Sequence, residues 1–176
     1  NTRNTVLSGD IGGDDTVDDA GITATASDIV GSNSNHVLTI GGTDPNTSTG
    51  GRYTADAADA SYTLVEGVTI TGGQASNVGG GGGGLYCNGR GTNSVCSPAI
   101  RYATFSGNLA SFGGAIFNDG DSGTSSPTIT NTTFSGNSAG YYGGAISNSN
   151  NGYSGTTITT TTFSRNSAGD SGGAIY

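Results

Sequence analysis

The chain has 176 residues, enough for one domain, and 34 of them are glycine while only 31% are apolar; this composition sits between ordered and disordered chains, so the arrangement of the residues has to decide. Thirteen Asp and Glu against five Arg and no Lys give a net charge of -8, which repels nucleic-acid phosphates and anionic lipid and argues against both as partners. No run of about 18 apolar residues is present, so no helical transmembrane segment is predicted.

The first 60 residues are irregular. Val6-Leu7 and His36-Val37-Leu38-Thr39-Ile40 read as strands separated by polar, Asp-rich and Gly-rich segments, and one or two irregular initial coils with long loops are expected here. Asp10, Asp14, Asp15, Asp18 and Asp19 form the densest acidic cluster. Calcium, which takes several oxygen ligands, is the candidate ion. The spacing matches neither an EF-hand loop nor a Gly-rich calcium-roll repeat, and a solvated polar loop is the competing reading. No other cofactor is implied. His36 is the only histidine and has no evident triad partner. Asn46-Thr47-Ser48, and later Asn131-Thr132-Thr133, match the N-glycosylation pattern, a match that arises by chance in a Thr-rich chain.

From residue 61 to 176 the chain reads as four repeat units, the last one truncated, within a single domain spanning 1–176. The first unit is loose: Val65 and Ile70 stand for the Ile and Phe of later units, and Gly83-Gly84-Leu85-Tyr86 stands for a later Gly-Gly-Ala-Ile. Ile70 to Phe105 is 35 residues, six more than the 29 of the later units. The surplus falls around the glycine run Gly79–Gly84 and the two cysteines, Cys87 and Cys96, which are expected to close an enlarged loop as a disulfide in an oxidising compartment.

The next three units align closely. Ile100, Ile129 and Ile158 are 29 residues apart, as are Phe105, Phe134 and Phe163, and likewise Asn108, Asn137 and Asn166. Each unit reaches Gly-Gly-Ala-Ile, at 113–116, 143–146 and 172–175. The apolar runs are three to five residues long, rich in Ile, Val, Thr and Phe and cut by Gly, Asn and Ser, which are strand and turn signals and not the 3.6-residue period of a helix. One coil of this length cannot bury its own apolar side chains, but stacked coils can, with Ile over Ile and Phe over Phe at a spacing of about 4.8 Å. The chain is therefore expected to be an all-β, right-handed parallel β-helix with coils of about 29 residues. The Asn row at 108, 137 and 166 suits a turn stabilised by amide bonds between coils, and a second row is expected at Asn88, Asn118 and Asn148. Phe112 and Tyr141 share a repeat position, with Tyr142 following, and form a candidate contact patch. Thr133 with Thr162, and Thr130 with Thr159, form Thr rows on the outer strands.

Phe105-Ser106-Gly107-Asn108, Phe134-Ser135-Gly136-Asn137 and Phe163-Ser164-Arg165-Asn166, each followed by Gly-Gly-Ala-Ile, resemble the repeats of chlamydial polymorphic outer-membrane proteins and of related bacterial β-helix surface proteins. The resemblance covers about residues 61–176 and implies a secreted passenger or surface protein, often adhesive. The expected function is that of a noncatalytic extracellular or cell-surface structural or adhesive protein. Its expected partners are host or cell-surface glycans or proteins, or other copies of itself stacked end to end into a filament. The chain lacks an initiator Met and ends within a repeat, so it is expected to be part of a longer protein. Two alternatives stand beside this. A polysaccharide lyase or hydrolase needs carboxylates converging on one cleft, which the repeats do not supply, since the unit 128–156 has no charged residue. A glycan- or ice-binding module would use a flat Thr-lined face.

Overall fold

The computed structural model describes residues 5–41, 53–55 (backbone only), 63–77, 80–149 and 151–176. Asn46 and Gly79 lie outside them.

Short strands stack into five sheets in which every pairing is parallel and joins one coil to the next. One coil visits all five in turn: Ala99–Arg101, Thr104–Ser106, Leu109–Phe112, Ile116–Asp119 and Thr124–Ser125, before Thr128–Thr130 begins the next coil above Ala99–Arg101. Strand hydrogen bonds therefore run along the stacking axis, and like residues of successive coils meet at the strand spacing. This is a parallel β-helix.

The interior is a set of columns. Phe105 pairs in register with Phe134, and Phe134 with Phe163. Below Phe105 the same column continues with Ile70 and Leu7. The Phe105 and Phe134 ring centroids are 4.9 Å apart at 9°, and those of Phe134 and Phe163 are 5.0 Å apart at 5°. A second column holds Val65, Ile100, Ile129 and Ile158, and a third holds Leu38, Leu85, Ile116 and Ile146. Phe105, Phe134, Ile100, Ile129, Ile116 and Ile146 are wholly buried, whereas Ile158 and Phe163, in the last coil described, are only partly so.

The registers correct two details of the sequence reading and divide the surplus of the first unit. Leu85, not Tyr86, lies under Ile116, so Gly82-Gly83-Gly84-Leu85 is the counterpart of Gly113-Gly114-Ala115-Ile116. Asn118 lies over Cys87, and Asn88 pairs with Asp119, so the second Asn row comprises Asn118 and Asn148 only. The six surplus residues divide between two places: Ala75 and Gly82 enclose four more positions than Ala110 and Gly113, and Cys87 and Cys96 enclose two more than Asn118 and Ser125. The disulfide thus bridges the smaller share.

Residues 10–33 form a strap inserted into the first coil. The coil breaks after Gly9, whose carbonyl accepts from Ser34 N at 2.8 Å, and resumes at Ser34, whose carbonyl accepts from Gln74 N at 2.8 Å, while the strap between them lies against the flank of the stack. Thr71 Oγ1 accepts from Thr23 N at 2.9 Å, Ser106 Oγ donates to Thr23 O at 2.9 Å, and Ala26 N donates to Gly136 O at 3.1 Å. Those three anchors belong to three successive coils. Gly107 and Gly136 make the approach feasible: both have positive φ, and a Cβ on either would collide with the strap carbonyls of Thr23 and Ala24. In the next coil the position is Arg165, also with positive φ and exposed.

Candidate functional site

Three groups of side chains stand out against this frame. The first is aromatic. After Ala139 the strand Ser138–Tyr142 carries one residue more than Leu109–Phe112, and a bulge sets Gly140 and Tyr141 opposite Ser111 and places Tyr142 in register with Phe112. The Phe112 ring packs on both, with centroids 5.4 Å from Tyr141 and 5.8 Å from Tyr142. The contacts continue from Tyr142 to Tyr176 at 4.6 Å, and from Phe112 through Phe117 to Tyr86 at 6.1 Å each. Tyr141 is 50% exposed and Tyr176 43%. A hollow of about 230 Å³ opens between Phe112, Phe117, Tyr142 and Tyr176, with Asn148 and Asn151 on its wall. Flat ring faces beside amides are suited to stacking on a sugar or on a side chain of a partner. Phe117 and Tyr176 extend the expected patch, with the buried Tyr86 behind Phe117; the sequence hid them because they follow the Gly-Gly-Ala-Ile positions and not the strand of Phe112.

The second group clamps the disulfide loop. Cys87 and Cys96 form a disulfide and are both fully buried, so the crosslink lies inside the stack and not at its surface. Arg90, on the enclosed loop, has its guanidinium 3.0 Å from Asp121 and 3.7 Å from Asp119 in the coil above, and Asp119 also accepts the Tyr86 hydroxyl at 2.7 Å. Two carboxylates therefore do converge here, contrary to the sequence expectation. They are taken up by a cation and a phenol, and the adjacent hollow of about 570 Å³ is walled by uncharged residues such as Asn93, Ser94, Ser122, Thr124 and Tyr153. That is a poor arrangement for the paired acid and base of glycan cleavage. His36 is buried, with its ring 5.1 Å from that of Tyr86 and Nδ1 3.0 Å from the Gly82 carbonyl.

The third group is acidic. Of the five aspartates, three converge: Asp10, Asp14 and Asp15 each place an oxygen within 4.8 Å of the others. Asp18 instead caps its own turn, accepting from Ala20 N at 2.9 Å and Ile22 N at 3.0 Å, and Asp19 is not part of the group.

The Asn row is structural. Asn108 Nδ2 donates to Asn137 Oδ1 and Asn137 Nδ2 to Asn166 Oδ1, both at 2.9 Å, and each Nδ2 also reaches a carbonyl of the coil below, Ile70 for Asn108 and Phe105 for Asn137. Thr133 pairs with Thr104 below and Thr162 above, while Thr130 pairs with Thr159 above but Arg101 below, so the second row is two residues long. Asn131 is exposed at a left-handed turn.

The parallel β-helix thus carries aromatic and polar groups along its flanks. Residues 102–119, 131–149 and 160–176 match the Chlamydia polymorphic membrane protein repeat. Each of the three matched segments runs from the turn before the Phe strand through the Asn and Gly-Gly-Ala-Ile positions. No curated protein and no solved structure matches the chain. Among the described residues no helix is long and apolar enough to cross a membrane.

Proposed function

We propose that this protein is a noncatalytic structural and adhesive element of a cell surface, an axial rod that displays the aromatic patch around Phe112, Tyr141 and Tyr142 to glycans or proteins of another surface. The repeat is named for membrane proteins of Chlamydia, which supports a surface location outside the cytoplasm, and the buried disulfide suits an oxidising compartment. The observation that carries the adhesive reading is the half-exposed Tyr141 on a bulge, its ring supported from beneath by Phe112. A rigid, preorganised aromatic loses little entropy on binding and is a common anchor of contact surfaces.

The test is binding of the purified chain to a glycan array and to intact host or bacterial cells, with Tyr141→Ala as the comparison. Saturable binding that Tyr141→Ala weakens by about tenfold or more is expected, the scale of a contact anchor. Absence of binding to any glycan or cell, or cleavage of a polysaccharide by the chain, would overturn the reading. Electron microscopy of the same preparation reads the other mode of display, copies joined end to end in a filament.

A further inference from the structure

A second recess lies on a different sheet from the aromatic patch, the three-stranded one of Val95–Cys96, Thr124–Ser125 and Tyr153–Ser154. Val95, Thr124 and Tyr153 stand in register, one per coil. Their strand neighbours Cys96 and Ser125 are wholly buried, so by the two-residue alternation of a strand this column points outward. Three strands about 4.8 Å apart give it a length of roughly 10 Å along the axis. Beside it stand the turns that lead into the strands. Ser94 N donates to Gly91 O at 3.0 Å and Gly123 N to Gly120 O at 2.8 Å, and the third residues of these two turns, Asn93 and Ser122, share a left-handed backbone with φ of 63° and 62°. The turns are joined from coil to coil, since Thr124 N donates to Ser94 O at 2.9 Å and Tyr153 N to Gly123 O at 3.3 Å. Column and turns together bound the hollow of about 570 Å³, a volume typical of small-ligand sites.

The chemistry of the walls selects the ligand. Tyr153 is 80% exposed, and its ring offers a flat apolar face. Among the described residues, the side chains of Thr92, Asn93, Ser94 and Thr124 make no hydrogen bond, so their hydroxyls and amide are open to a ligand and can both donate and accept. None of the described residues that line the hollow is charged. Asp119 and Asp121, in the coil that supplies Thr124, are held by Arg90. An acidic ligand would meet no cation in the hollow and would be repelled by the net charge of -8. A basic ligand would find no carboxylate there. Hydroxyls and an amide beside one exposed ring match a sugar, whose hydroxyls donate and accept while its C–H face packs on the ring.

We propose that this hollow binds a short neutral oligosaccharide, with the Tyr153 ring against one sugar face and Asn93, Ser94 and Thr124 bonded to the sugar hydroxyls. The turns are hydrogen-bonded before the ligand arrives, so little ordering is needed on binding. The site is separate from the patch of Phe112, Tyr141 and Tyr142 and does not depend on it.

The experiment is saturation-transfer NMR on the full chain with cellotetraose, chitotetraose and lacto-N-tetraose as neutral probes and a heparin tetrasaccharide as the acidic one, followed by calorimetric titration of each binder. Saturable binding of at least one neutral probe, and none of the heparin probe, is expected. Tyr153→Ala, at an exposed side chain, should keep the wild-type melting temperature and weaken binding about tenfold or more. Asn93→Gly keeps the left-handed turn and should weaken it about two- to tenfold through the lost amide bonds. Tyr141→Ala should leave it unchanged. Failure of all three neutral probes to bind, or a preference for the heparin probe, would overturn the proposal. So would binding that Tyr141→Ala abolishes and Tyr153→Ala leaves intact, since the sugar would then sit on the aromatic patch.

Discussion

Asn108 and Asn137 stand one above the other in the interior, and a single oxygen, Asn137 Oδ1, accepts both the side-chain amide of Asn108 at 2.9 Å and its backbone N–H at 3.1 Å. Asn137 Nδ2 in turn donates to the Phe105 carbonyl at 3.0 Å. Removing Asn137 leaves the buried Asn108 backbone N–H without this acceptor and its side-chain amide with the Ile70 carbonyl alone, and an unpaired buried group costs about 1–3 kcal/mol. Asn137→Ala should therefore destabilise the chain by roughly 2–4 kcal/mol. Asn166→Ala should cost less, because Asn166 is only partly buried. Urea denaturation followed by circular dichroism measures both, and equal losses would mean that the ladder acts through turn propensity alone.

The Phe column predicts a second gradient. Phe134 is sandwiched between Phe105 and Phe163 and is wholly buried, so Phe134→Ala should cost about 3–5 kcal/mol. Phe134→Leu should cost much less, since the same column already accepts Ile70 and Leu7. Phe163→Ala, with a ring packed on one side among the described residues, should fall below Phe134→Ala. Thermal melts of the three variants check the order.

The columns were legible because identical side chains recur at a fixed interval, and the stacking of Phe105, Phe134 and Phe163 follows from their spacing alone. Register failed where that marker was missing. Glycines 80–84 carry no side chain to distinguish one position from the next, which hid the one-residue offset that puts Leu85 under Ile116. The two extra residues between Cys87 and Cys96 hid the pairing of Asn88 with Asp119, and with it the Arg90 clamp. Tyr141 and Tyr142 are adjacent tyrosines, and only the backbone shows which of them pairs with Phe112. The strap was illegible for a different reason. Its anchors are polar contacts between residues far apart in sequence, such as Thr23 with Thr71, and a polar segment without a period gives no sign of the surface it lies on. The same holds for the acidic turn: its five aspartates were visible as a cluster, but the convergence of Asp10, Asp14 and Asp15 alone was not.

The turn before each Phe strand is left-handed throughout. Gly67, Tyr102, Asn131 and Thr160 occupy equivalent places, with φ of 65°, 52°, 50° and 48°. This backbone costs roughly 1–2 kcal/mol for ordinary residues and less for Asn, and a β-branched residue there is the least favourable case. Thr160→Asn, which copies Asn131 at an exposed position, should stabilise the chain by about 0.5–1 kcal/mol. The opposite is expected of Gly136→Ala, whose Cβ would strike the Ala24 carbonyl. That variant should melt earlier and show faster hydrogen exchange in residues 23–26, and a protected strap in it would contradict the packing described.

The disulfide offers a test of where the crosslink acts. Cys87 and Cys96 enclose a short loop, and restricting the unfolded chain over such a loop is worth about 2–3 kcal/mol. Because both residues are fully buried, a reductant in solution has no access to the bond until the coil opens. Mild reductant should therefore expose no thiols in native buffer and two per chain in denaturant, as read by thiol titration. The double variant Cys87→Ala with Cys96→Ala should lose about 2–3 kcal/mol plus a packing cost in the core. It should still hold its loop on the coil above, because Arg90 remains between Asp119 and Asp121 and the Gly89 and Gly91 N–H groups remain bonded to the Asp119 and Asp121 carbonyls at 2.8 Å. Adding Arg90→Ala should then loosen the loop locally, seen as faster hydrogen exchange at Gly89 and Gly91, with little further change in the global melt because the ion pair is half-exposed. Rapid reduction in native buffer would place the bond at the surface and remove it from the core.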